Sequence, residues 1–63
     1  MRFLRIRETK AKTGLANSTL YDLIQKGKFP KPVRLTDRCS AWIEEEIEKW
    51  QKQRVAERDG VTQ

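Results

Sequence analysis

Apolar positions along the chain come in short bursts whose spacing changes from one burst to the next. In NSTLYDLIQK, residues 17–26, Leu20, Leu23 and Ile24 fall at i, i+3 and i+4, the stripe of an amphipathic helix. Asn17 suits the N-cap, accepting from the backbone N–H of Thr19 or Leu20, and Gly27 can take the left-handed conformation that closes a helix. Upstream, IRETKAKT at 6–13 is built of good helix formers and ends before Gly14. Its apolar material is only Ile6, Ala11 and the methyl of Thr9, so it must borrow stability from its neighbours, with Leu15 in the turn helping. RFLR at 2–5 reads as a short extended lead-in. Downstream the rhythm becomes β-like: VRL at 33–35 and CSAWI at 39–43 flank the turn TDR at 36–38, which makes a small hairpin. A lone hairpin is not stable, so it must lean on the helices, through Phe29, Val33, Leu35 and Trp42. The last element is EEEIEKWQKQRVAERD, residues 44–59, a helix with Ile43, Ile47, Trp50 and the stem of Arg54 on one face. Its three leading glutamates suit the positive end of the helix dipole. Glu45–Lys49 and Glu48–Lys52 are i, i+4 pairs in the favourable order. Nothing after Arg58 is periodic, so the expected domain is 1–58 with a flexible tail at 59–63.

Between the second helix and the hairpin lies KFPKP, residues 28–32. Each proline fixes its own φ and pushes the residue before it, Phe29 or Lys31, to extended geometry. The prolines therefore describe a stiff exit from the helix that aims the hairpin. Two short helices separated by TGLA suit a helix-turn-helix and a plain helical hairpin equally well.

Charge changes the picture more than composition does. The 63 residues suffice for one small domain, and a core of that size is marginal. The net charge is +5 and the pI about 9.8. Residues 1–38 carry ten Lys/Arg and three acids, a balance of +7, whereas 39–63 carry four and six, a balance of −2. Such asymmetry suggests a face tuned to a polyanion, with nucleic acid first among the candidates. There is one cysteine and no histidine, which excludes an intrachain disulfide and a Cys/His zinc site. Cys39 reads as a small buried apolar residue. No nucleophile has a base and no glycine loop suits a phosphate, so no enzyme chemistry, metal or cofactor is expected. No apolar run approaches a membrane span. A secreted chain this small would usually need disulfide staples, so a cytoplasmic protein is expected, nucleoid-associated if it binds DNA.

The order helix, turn, helix, extended basic segment, hairpin, helix resembles a winged helix-turn-helix of the MerR-like excisionase type. More closely, it resembles the AlpA family of small prophage regulators. The resemblance rests on RIRE at 5–8, TGLANSTLYDLI at 13–24, GKFPKPVRL at 27–35, Arg38 and AWIEEEIEKW at 41–50, in this order and spacing. The chain departs from the family pattern at Ala16, where a serine usually caps the second helix, and at Asn17, where a basic residue is common. It departs again in its polar first helix, and at the hairpin tip, usually glycine-rich but here Thr36-Asp37-Arg38.

The resemblance implies a mostly α fold with three helices and a two-stranded wing. It also implies a sequence-specific duplex-DNA-binding protein of a prophage or integrated element. Such proteins activate transcription, often of an integrase gene, or act as excisionases at attachment-site repeats, with an integrase as partner and several copies side by side. The second helix would then lie in the major groove, about 12 Å wide, presenting Asn17, Ser18, Thr19, Tyr21, Asp22 and Gln25. Gln25 suits adenine. Asp22 either accepts from cytosine N4 or orients a neighbouring cation, and Tyr21 is either a phosphate donor or a half-buried flank. Lys26, Lys28, Lys31, Arg34 and Arg38 form the phosphate and wing set, with Arg38 placed to enter a minor groove. The rival reading is a protein-interaction adaptor that offers KFPKP to an aromatic-lined groove without binding DNA. Its spacing is P-x-P rather than PxxP, and it sits between ordered elements.

Overall fold

In the computed structural model, which describes residues 1–60, the chain runs β1 (Phe3–Leu4), α1 (Ile6–Thr13), α2 (Asn17–Gln25), β2 (Val33–Thr36), β3 (Cys39–Ile43) and α3 (Glu44–Arg58). Asp59 and Gly60 close α3, the Asp59 N–H donating to the Val55 carbonyl at 3.0 Å. The rest of the expected tail, residues 61–63, lies outside the described residues. Three helices with a small antiparallel sheet make this a winged helix-turn-helix.

Local chemistry sets the helix ends. The Glu8 carboxylate reaches back to accept from the Arg5 N–H at 3.0 Å, satisfying one donor at the start of α1. Gly14, at φ 74°, ends that helix with its N–H donating to the Lys10 carbonyl at 2.7 Å. At α2 the expected cap is displaced by one residue. Ala16, extended at φ −77° and ψ 161°, is the N-cap, because its carbonyl already accepts from the Leu20 N–H at 2.9 Å. Asn17 is thus the first helical residue and caps nothing, since alanine at the cap position has no side-chain acceptor. At the other end Lys26 is the C-cap and Gly27 stands at φ 72°. The N–H of Gly27 donates to the Ile24 carbonyl at 3.1 Å and that of Lys28 to Leu23 at 2.9 Å. This is the paired closure that needs a left-handed residue where Gly27 sits.

The lead-in at 2–5 does more than lead in. Phe3 and Leu4 pair with Ile43 and Trp42, so β3 becomes the central strand of a three-stranded sheet in the order β1-β3-β2. The Glu44 N–H extends this tie by donating to the Arg2 carbonyl at 2.9 Å. The wing pairs Val33 with Ala41, Arg34 with Ser40 and Thr36 with Cys39, leaving Leu35 as an extra residue in a bulge. The bulge breaks the two-residue alternation, and Leu35 is 42% exposed rather than leaning inward. Cys39 is half-buried rather than buried, with Arg5 Nη2 at 3.6 Å from its sulfur.

Each part of the chain sends one large side chain to a shared core: Leu4 from β1, Leu20 from α2, Phe29 from the connector, Trp42 from β3 and Ile47 from α3. Ile6, Leu15, Leu23, Ile24 and Trp50 pack around them. The polar α1 contributes Thr9, fully buried, while Ala11, expected inside, is exposed. The buried face of α1 instead runs through Ile6, Thr9, Lys10 and Thr13, at i, i+3, i+4 and i+7.

The glutamates of α3 also behave differently from the local pattern. Neither Glu45–Lys49 nor Glu48–Lys52 forms among the described residues. Glu44 takes Arg2 at 3.3 Å and Lys12 at 3.8 Å, Glu48 takes Lys12 at 3.3 Å, and Glu45 faces the N-terminal amine at 3.7 Å. With α1 and β1 packed against the start of α3, these cations reach the carboxylates ahead of the lysines one turn along. The acidic turn is a tertiary clasp as well as a helix start.

Candidate nucleic-acid interface

The exit from α2 is held by two tryptophans. Trp42 Nε1 donates to the Pro30 carbonyl at 3.0 Å, and Trp50 Nε1 donates to the Lys28 carbonyl at 2.8 Å. Between those carbonyls Phe29 turns inward, 5% exposed, its ring edge-on to Trp50 with centroids 4.8 Å apart. The Arg54 guanidinium carbon lies 6.0 Å from the Trp50 ring centroid, so its side chain joins that face as the helical spacing predicts. With Phe29 buried and both carbonyls occupied, KFPKP is built into the fold. Lys28 and Lys31, on either side of the anchored ring, are left exposed.

All eleven candidate residues are exposed: Asn17, Ser18, Thr19, Tyr21, Asp22 and Gln25 on α2, and Lys26, Lys28, Lys31, Arg34 and Arg38 beyond it. On α2 the reason is the helical repeat, which turns Leu20, Leu23 and Ile24 inward and Ser18, Asp22 and Gln25 outward. Tyr21 is 49% exposed, flanking the outer face. Asp22 and Lys26 are brought together as an ion pair, Oδ2 to Nζ at 2.9 Å. On the hairpin, Arg34 sits opposite Ser40, and the turn runs through Asp37 and Arg38. The Arg38 N–H donates to Thr36 Oγ1 at 3.3 Å, which pins the tip. Among the described residues no non-glycine residue has a positive φ, so the tip turns without the left-handed backbone a glycine would permit.

Ion pairing ties down part of the positive charge. Arg2 and Lys12 are held by Glu8, Glu44 and Glu48. The Arg5 N–H bonded to Glu8, together with Arg2 beside it, holds that carboxyl below the usual carboxylate range. Among the described residues Lys28, Lys31, Arg34 and Arg38 have no carboxylate partner, a condition they share with Arg7, Lys10, Lys49 and Lys52. Arg5, which the charge pattern did not single out, has none either. Its guanidinium lies against Cys39, at the tip end of the wing, a place that only the pairing of β1 with β3 reveals. No group of acidic, cysteine or histidine side chains suited to a metal occurs among the described residues, and none of their helices is long and apolar enough to cross a membrane.

Known proteins match this chain in sequence. The chain is 44% identical over 57 residues to the uncharacterized protein ORF88 of Enterobacteria phage P4, covering 90% of this chain and 65% of that protein, so it spans a little under two thirds of that relative. It is 37% identical over 60 residues, 86% of each chain, to the DNA-binding transcriptional activator AlpA of Escherichia coli strain K12. A family model described as prophage CP4-57 regulatory protein (AlpA) matches residues 2–55, nearly all of the folded chain. The matches cover the exposed polar helix and the basic wing alike, and this protein belongs to a family of regulators rather than enzymes: the AlpA family of prophage regulatory proteins.

Proposed function

We propose that the protein binds duplex DNA with α2 in the major groove and the β2–β3 wing against the flanking backbone. In this role it acts as a transcriptional activator of integrase expression, as an excisionase, or as both. The observation that carries this reading is that every candidate side chain, from α2 through the connector to the wing, is exposed. No carboxylate neutralises Lys28, Lys31, Arg34 or Arg38 among the described residues. With its side chains an α-helix is about 10–12 Å across, which a major groove about 12 Å wide admits. The K12 relative is named as a DNA-binding transcriptional activator, which supports the same reading.

In this arrangement Gln25 reads adenine, and Ser18 and Thr19 supply contacts that discriminate less. Tyr21 donates to a phosphate, and Lys28, Lys31, Arg34 and Arg38 fix the register along the backbone. A domain this small covers limited DNA, so neighbouring copies on repeated sites would add to the grip. The adaptor reading has no comparable support, because Phe29, the anchor such a ligand would offer, is in the core.

The first test is a gel shift with a duplex pool at low salt; no shifted species overturns the proposal. The second is junction PCR for the excised element, beside a reporter fused to the integrase promoter, after overexpression. A new junction without reporter induction marks an excisionase, the reverse marks an activator, and neither signal overturns both roles.

A further inference from the structure

On the outer face of α2, Asp22 and Lys26 stand one turn apart, each more than half exposed, with the ammonium 2.9 Å from the carboxylate. The charge pattern alone groups Lys26 with the phosphate contacts. The ion pair holds its head back along the helix, over Asp22, on the face that carries Ser18 and Gln25. From this geometry we infer that Asp22 and Lys26 act as one unit that reads a single C·G base pair, the carboxylate on cytosine and the ammonium on guanine. The inference rests on the DNA-binding reading above and specifies part of its target.

Three pieces of chemistry lead there. First, the major-groove edge of a C·G pair presents the cytosine N4 amino group as donor next to guanine O6 and N7 as acceptors. Cytosine N4 and guanine O6 are bonded to each other at an N–H···O spacing of about 2.9–3.0 Å. The acceptor and donor of the Asp22–Lys26 pair are 2.9 Å apart, so the two pairs can be laid against each other with every charge facing its complement. Second, the other base pairs fit less well. Adenine also offers an amino donor, but its N7 acceptor lies alongside and faces the carboxylate. Thymine offers O4 without the second acceptor that guanine N7 gives an ammonium, and its methyl group crowds the approach. Third, a lone carboxylate brought into the groove of a polyanion is repelled, whereas a carboxylate with an ammonium at 2.9 Å enters as a neutral pair.

The test is selection from a randomised duplex library with the full chain, for the wild type, Asp22→Asn and Lys26→Gln, followed by anisotropy on the enriched duplexes. Both side chains are exposed, and circular dichroism should show unchanged helix content in both variants. The wild type should enrich a site with one C·G position, and replacing that pair by A·T should weaken binding about 5- to 150-fold. Asp22→Asn should move the preference there from C to A, because asparagine pairs bidentately with adenine N6 and N7, and leave other positions alone. Lys26→Gln should relax the same position. An unchanged enriched site for Asp22→Asn, or uniform weakening of all sequences by Lys26→Gln, would overturn the inference and leave DNA binding intact. Failure of the wild type to enrich any duplex would overturn both.

Discussion

Trp42 is the side chain on which the wing and its lead-in both depend, and replacing it with phenylalanine gives a quantitative test. The indole is 1% exposed, sits on the central strand opposite Leu4, and donates to the Pro30 carbonyl at 3.0 Å. Phenylalanine keeps an aromatic ring there but has no N–H. The lost hydrogen bond is worth about 0.5–1.5 kcal/mol net. The smaller ring leaves a void on the order of 40 Å³, which at about 24 cal/mol per Å³ adds roughly 1 kcal/mol. Together Trp42→Phe should cost about 2 kcal/mol. A domain of 60–100 residues loses about 4–8 °C per kcal/mol, so Tm should fall by about 8–16 °C. Thermal and urea unfolding followed by circular dichroism would measure both quantities, and an unchanged urea m-value would show that the native state stays compact. Because Pro30 lies between Phe29 and Lys31, release of its carbonyl should also weaken duplex binding well below Tm. A Tm within about 2 °C of wild type would mean that neither the hydrogen bond nor the packing exists as described, and the anchoring of the lead-in would have to be abandoned.

Two further perturbations test the polar first helix. Thr9 is fully buried and its Oγ1 has no hydrogen-bond partner, so Thr9→Val, which keeps the β-branched shape, should stabilise the fold by about 1 kcal/mol and raise Tm by about 4–8 °C; a lower Tm would show that the hydroxyl has a partner. Glu8 has a folded pKa below its unfolded value, chiefly through the Arg5 N–H, so its contribution is present above the unfolded pKa and is lost as pH falls through the folded one; an NMR titration should find its midpoint acidic of an ordinary glutamate, and an unshifted midpoint would remove the Glu8–Arg5 tie.

The elements that the sequence displays clearly are those whose cause is local. The stripe Leu20, Leu23, Ile24 and the glycine at 27 define α2, and its outer face follows from the helical repeat. That is why the candidate residues on α2 were legible as an exposed set. What was hidden depends on partners distant in sequence. Two residues, Phe3 and Leu4, are too short a run to announce a strand, and only Trp42 and Ile43 make them one. Helix-local rules assign Glu48 to Lys52, yet Lys12, thirty-six residues away, takes it because α1 packs on α3. The two indoles suggest core positions in the sequence, but nothing local shows that their N–H groups fasten the carbonyls of Lys28 and Pro30. Leu35 misleads because alternation assumes an unbroken ladder, and the bulge breaks it. Asn17 misleads for a smaller reason: a good capping residue is not a cap when the carbonyl before it has already started the helix.

The central claim is that α2 and the basic wing form one DNA-binding surface, and its salt dependence tests that most directly. Anisotropy with one duplex across a salt series should be compared between the wild type and a Lys31→Ala, Arg34→Ala, Arg38→Ala triple variant, each shown folded by circular dichroism. The wild type should bind at low salt with a steep negative slope of log affinity against log salt. The variant's slope should be shallower by about 2.7, at about 0.9 for each phosphate contact removed. Equal slopes for the two proteins, or no binding by the wild type at low salt, would contradict the account.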